Sequence, residues 1–127
     1  MAAGARYSGA VTKTNRTLKA ESLSTTWLAS RLGSQPARID SMRRAGELLG
    51  VRSAAGEYLY PGWQFNSQGQ PLPVVRDLIR TARAAGLDDN ALYEVLSRRT
   101  GMSGRRLADH VRAGDPEYVL RALRAVL

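Results

Sequence analysis

The stretch LASRLGSQPARI, residues 28–39, decides the fold of this chain. It places a small residue at Ala29, a glycine at Gly33 and an apolar residue at Ile39. This spacing is typical of a helix-turn-helix: Ala29 lets two helices approach closely, and Gly33 adopts a turn conformation that a β-carbon would resist. Ile39 then packs back against the first helix. The other inward positions of the unit are Leu28, Leu32 and Met42.

Capping signals predict where the two helices begin and end. The hydroxyl of Ser24 can cap orphan amides, so the first helix begins there and runs to Gly33. Pro36 suits a first helical turn, because its missing N–H would have no partner there. The second helix therefore covers about residues 36–46.

Two short β-prone runs follow the second helix. They occupy residues 48–53 and 57–60 on either side of the turn-forming residues 54–56, and this arrangement predicts a β-hairpin. A hairpin directly after the second helix of such a unit is a wing. Tyr58 and Tyr60 are two positions apart, so we expect their rings on the same face of that hairpin.

Composition divides the chain into four parts. These are a flexible basic arm (1–22), a winged helix-turn-helix (23–65), a linker (66–73) and a C-terminal helical module (74–127). The last part carries start and stop signals for four short helices. The predicted fold class is mostly α, with a small two-stranded β-hairpin. The aromatic residues interpreted as core are Trp27, Trp63 and Phe65.

The charge of the chain suits a polyanionic partner. Its 127 residues include 19 Lys and Arg against 11 Asp and Glu, giving a net charge of +8. Cysteine is absent, and no apolar run is long enough to span a bilayer, so we expect a cytoplasmic, nucleoid-associated protein without a membrane partner. No phosphate loop, nucleophile motif or carboxylate pair indicates an enzyme, and no cofactor or metal is expected. The single histidine, His110, has no partner at metal-ligand spacing.

The opening spacing occurs a second time. Ser97, Gly101 and Leu107 repeat it, and Arg105 and Arg106 fall in the second helix of the repeat. One interpretation is a second site for DNA or a partner, which would make the protein two-headed. The alternative is that small-residue turns between short helices often produce this spacing.

Residues 24–65 resemble the winged helix-turn-helix of the MerR and excisionase type. They are also similar to actinobacterial DNA-binding proteins in which this unit runs into a YPxxQF-like segment, here residues 60–65, and a helical tail. The resemblance implies sequence-specific binding to double-stranded DNA, with the helix at 36–46 in the major groove. The residues implied to face that groove are Gln35, Arg38, Ser41, Arg43 and Arg44. Those implied to lie on the wing, near phosphates or the minor groove, are Arg52, Ser53 and Tyr58.

Arginine side chains carry most of the expected contacts. We favour Arg43 and Arg44, because a planar guanidinium can bind guanine O6 and N7 together or hold a phosphate. The alternative is a solvated helix face. A further stripe formed by Arg76, Arg80 and Arg83 is interpreted as a solvated face that could extend the electrostatic footprint.

Residues 74–127 are more distantly similar to the toxin-binding region of Xre/MbcA/ParS-type antitoxins. That family has a paired-glycine and Thr-Pro element where this chain reads MSGRRL, residues 102–107. We therefore expect a bacterial or phage transcriptional regulator of the repressor type. One alternative is an antitoxin-like protein whose C-terminal module neutralises a partner toxin and whose DNA binding only autoregulates; another is an excisionase-like recombination factor. Residues 74–127 could also mediate self-association.

Overall fold

The computed structural model describes residues 16–100 and 104–127, which are mostly helical with small antiparallel sheets. Helix α1 is described over residues 16–21. The other helices are α2 (Thr25–Arg31), α3 (Pro36–Arg44), α4 (Pro73–Ala84), α5 (Asp89–Ser97), α6 (Leu107–Arg112) and α7 (Pro116–Val126). The strands are β1 (Ser22–Ser24), β2 (Val51–Arg52), β3 (Tyr58–Pro61), β4 (Arg99–Thr100) and β5 (Arg105–Arg106), with a turn of 3₁₀ helix at Gly62–Gln64.

Helices α2 and α3 form the predicted helix-turn-helix. The Ser24 hydroxyl accepts a hydrogen bond of 3.1 Å from the Trp27 amide, which confirms the predicted cap. Gly33 has a φ of +62°, the left-handed conformation that favours glycine. Ile39 is completely buried between the two helices and the sheet. The local signals in the opening stretch therefore predict this unit correctly.

The wing belongs to a three-stranded antiparallel sheet with the order β1-β3-β2. Strands β2 and β3 form the predicted hairpin, with Val51 opposite Leu59. Strand β1 adds a third strand, with Ser22 opposite Pro61, where a two-stranded hairpin was predicted. Its sequence, Ser-Leu-Ser, has no β-prone run, so only pairing with β3 makes it a strand.

Alternate residues of β3 face two different hydrophobic cores. Tyr60 packs in a smaller core with the helix-turn-helix, and Tyr58 packs against the same core. This confirms the prediction that the two rings share a face. Leu59 points the other way into a larger core. That core also contains Leu18, Val51, Trp63, Val75, Leu78, Tyr93, Leu107 and Leu123.

The predicted flexible arm does not extend to residue 22. Residues 16–21 are helical, and Leu18 is only 2% exposed in the larger core. Leu18 is the only buried residue in 16–21, and the polar composition around it concealed this contact with the core. The rest of the predicted arm, residues 1–15, lies outside the described part of the chain.

The C-terminal module contains the predicted four helices, α4 to α7, together with the short strands β4 and β5. It shares the larger core with the wing, since Val75 and Leu78 of α4 lie in the same cluster as Val51 and Leu59. The predicted linker at 66–73 therefore does not separate two hydrophobic cores.

The second helix-turn-helix prediction is wrong. Residues 98–106 separate α5 from α6 and include the antiparallel pair β4–β5, whereas only residues 32–35 separate α2 from α3. Arg105 and Arg106 therefore lie in a strand and not in the second helix of a repeated two-helix unit. The repeated spacing is therefore a coincidence of small residues, although Gly101 itself lies outside the described residues.

Candidate nucleic-acid interface

The outer face of α3 carries exposed polar and cationic side chains. Arg38, Ser41 and Arg44 are exposed at intervals of three residues, and Gln35 is exposed at the N-cap. Residues three apart lie on one side of a helix. Within the described residues, the side chains of Arg38 and Arg44 take part in no hydrogen bond or ion pair, so both guanidinium groups are available to an external partner.

Arg43 does not lie on that face. Its guanidinium carbon stacks 3.7 Å from the centre of the Tyr58 ring, and its side chain is only 15% exposed. A weak ion pair of 3.6 Å joins it to Asp40. The prediction that Arg43 faces outward is therefore wrong: the cation–π contact fixes it between the end of α3 and the wing.

Close packing beneath this contact requires glycine at position 50. A β-carbon on Gly50 would collide with the Arg43 side chain and lie 2.9 Å from the Tyr60 ring. Burial raises the pKa of Tyr60 despite the nearby Thr25 hydroxyl and Arg43 guanidinium, so this ring stays neutral.

The predicted wing residues have three different environments. Arg52 is exposed, with its guanidinium carbon 6.0 Å from the Tyr58 ring centre, and Tyr58 is half-buried. Ser53 is 7% exposed and closes the hairpin through its backbone, donating to the Glu57 carbonyl and accepting from the Gly56 amide. The Ser53 hydroxyl is buried, so the prediction that this side chain contacts a phosphate is wrong.

The aromatic residues predicted as core include one exposed side chain. Trp63 is 5% exposed and Phe65 is half-buried, but Trp27 is 51% exposed on α2. Leu28 and Ala29, the next two residues, occupy the inward side of this short helix. Trp27 therefore falls on the outer surface of the helix-turn-helix.

The arginine stripe of α4 divides into two kinds of residue. Arg76 and Arg80 are exposed and pair with acidic neighbours, as a solvated face would. Arg83 instead reaches back to the end of α3, where it donates hydrogen bonds to backbone carbonyls. Nothing in the spacing of the stripe distinguishes Arg83 from the other two.

Arg106 is part of an internal charge network. It donates to Glu21 at 3.0 Å and to Asp109 at 3.2 Å, and its side chain is 17% exposed. Burial lowers the pKa of Arg106, but Glu21 and Asp109 outweigh this and raise it. The prediction that Arg106 binds DNA or a partner is therefore wrong, while Arg105 beside it is exposed.

Comparison with known proteins finds a similar fold among solved structures. No family model matches the chain, and no curated protein matches its sequence. The fold is similar to the NMR structure of Rv2175c, with a TM-score of 0.74 and 22% sequence identity. The match covers 83% of this chain and 80% of that chain. The likeness extends over most of both chains and concerns the fold alone.

None of the helices in residues 16–100 and 104–127 combines the length and the apolar character needed to cross a membrane.

Proposed function

We propose that this protein binds double-stranded DNA sequence-specifically, as a transcriptional regulator of the repressor type. The observation that carries the proposal is the outer face of α3, where Arg38 and Arg44 extend without partners among the described residues. Unpaired guanidinium groups on one side of a helix suit a polyanion such as DNA. Such a protein would act in the cytoplasm at the nucleoid.

In this mechanism, α3 enters the major groove. Arg38 and Arg44 bind guanine edges or clamp phosphates, and Ser41 and Gln35 add hydrogen bonds to bases. Arg52 on the wing contacts the adjacent backbone. Because the chain has a net charge of +8, much of the affinity comes from release of counterions.

The test begins with selection of binding sites from a pool of randomised duplexes. Affinity for the selected duplex and for a mixed-sequence duplex is then measured by fluorescence anisotropy at about 50 and about 200 mM NaCl. We expect Arg38→Ala and Arg44→Ala each to weaken binding of the selected duplex about tenfold or more. Arg121→Ala is the matched control, since it removes the same charge from an exposed position on α7.

Two results would contradict the proposal. One is that the wild-type protein enriches no sequence and binds neither duplex at the lower salt concentration. The other is that Arg38→Ala and Arg44→Ala bind as Arg121→Ala does. Toxin binding by 74–127 and a role in recombination stay predictions from the sequence.

A further inference from the structure

The end of α3 is held by a side chain from α4. The last carbonyls of a helix lack partners within it. Arg83 donates to two of them: Nη1 donates to the Arg44 carbonyl at 3.1 Å, and Nη2 donates at 3.0 Å to the Arg43 carbonyl, which also accepts from the Gly46 amide. Gly46, with a φ of +79°, leaves room for this approach, since a β-carbon there would lie 3.2 Å from Nη1. A positive charge at this end also suits the helix dipole.

Asp89, in the first turn of α5, fixes the Arg83 guanidinium from its other side. Nε lies 3.2 Å from Oδ1 and Nη2 lies 3.0 Å from Oδ2, which is a two-pronged ion pair. The Asp89 side chain is 15% exposed. The guanidinium therefore has a fixed orientation between α5 and the end of α3.

Asn90, the next residue of α5, holds the wing. Its Oδ1 accepts from the Arg52 amide and its Nδ2 donates to the Arg52 carbonyl, both at 3.0 Å. Strand β2 is an edge of its sheet, so these groups of Arg52 have no neighbouring strand on that side. The Asn90 amide pairs with them as another strand would.

We infer that Arg83, Asp89 and Asn90, the α4–α5 brace, are positioning residues that hold α3 and the wing in the relative position needed for one DNA site. The inference rests on the proposed function. A DNA site that contacts both α3 and the wing is bound only by those protein molecules in which the two elements have the right relative position. If the brace is lost and about a tenth of the molecules are competent, apparent affinity falls about tenfold.

Matched variants separate positioning from electrostatics. Arg83→Ala is compared with Arg80→Ala, which removes the same charge from the same helix. Asp89→Asn is compared with Asp77→Asn, because each makes the protein more positive by one charge. Electrostatics alone would make both Asp→Asn variants bind DNA more tightly, whereas loss of the brace makes Asp89→Asn bind more weakly. Asn90→Ala changes no charge.

The measurement is the ratio of affinities for the selected and the mixed-sequence duplex, on variants whose circular dichroism matches wild type. We expect Arg83→Ala, Asp89→Asn and Asn90→Ala each to lower this ratio about tenfold. The two control variants, Arg80→Ala and Asp77→Asn, should keep it within about twofold. A purely structural role would lower thermal stability without changing the ratio, and this result would overturn the inference.

Hydrogen exchange tests the brace without DNA. Asn90→Ala should accelerate exchange of the Arg52 amide, and Arg83→Ala should accelerate exchange of the amides at 45–47 that close α3. If wild type binds no duplex, the proposed function fails while exchange still reports whether the brace holds. If wild type binds and the three brace variants behave as their controls, the brace inference is wrong and the proposed function stands.

Discussion

At the scale of single residues, Gln64 joins the loop after α3 to the end of β3. Its side chain is fully buried and makes three hydrogen bonds to backbone groups. Nε2 donates to the Leu49 carbonyl at 2.9 Å and to the Pro61 carbonyl at 3.1 Å, and Oε1 accepts from the Leu49 amide at 2.8 Å. Gln64 therefore holds the loop before β2 against the end of β3.

We predict that Gln64→Leu lowers the free energy of unfolding by about 3 kcal/mol, because it leaves buried amide and carbonyl groups of Leu49 without partners. Urea unfolding followed by circular dichroism measures the change. Gln68→Leu, at an exposed turn position, is the control and should have little effect. Equal effects of the two substitutions would show that the hydrogen bonds of Gln64 contribute nothing.

The sequence predicts those residues whose role depends on near neighbours. Ser24, Gly33 and Ile39 act within a few positions of their partners, and each is where its pattern predicts. Arg43 and Arg106 differ, because Tyr58 and Glu21 reach them only through the fold. A run of arginines has the same appearance whether its members face solvent or a partner distant in the chain.

At the scale of elements, one carboxylate connects α1 to α5 and β5. Glu21 accepts a hydrogen bond of 2.6 Å from the Tyr93 hydroxyl and pairs with Arg106. Burial, and then Glu21, raise the pKa of Tyr93 well above its usual value. The Tyr93 hydroxyl donates this hydrogen bond to Glu21 only while it keeps its proton.

This pKa shift predicts a loss of stability at alkaline pH. Above about pH 10 the unfolded chain loses the Tyr93 proton while the folded chain retains it. The unfolded state then binds fewer protons, so the free energy of unfolding falls as pH rises. Urea unfolding at a series of pH values should show this fall, and Tyr93→Phe should show a smaller one. The same slope in both proteins would assign the alkaline loss to other groups.

At the scale of the whole molecule, the sheet lies between two cores, and the larger core unites the predicted domains. Composition places a boundary at 66–73, where turn residues and prolines are concentrated. Turn residues report only local structure, however. They do not reveal that side chains on the two sides of this boundary share one core, namely Leu59 and Trp63 before it and Val75 and Leu78 after it. The fold class was therefore predictable from the sequence, and the way its parts join was not.

We predict that the helix-turn-helix and wing do not fold without the C-terminal helices. A chain ending at residue 72 would expose Leu18, Val51, Leu59 and Trp63, which pack in the core that α4 to α7 complete. Each such side chain contributes about 1.5–3 kcal/mol when buried, so together they approach the whole stability of a small domain. The truncated chain should show the narrow amide dispersion of an unfolded protein. The full chain should unfold in urea with the same midpoint by tryptophan fluorescence and circular dichroism. A folded 1–72, or two separate midpoints, would instead establish independent domains and restore the predicted boundary.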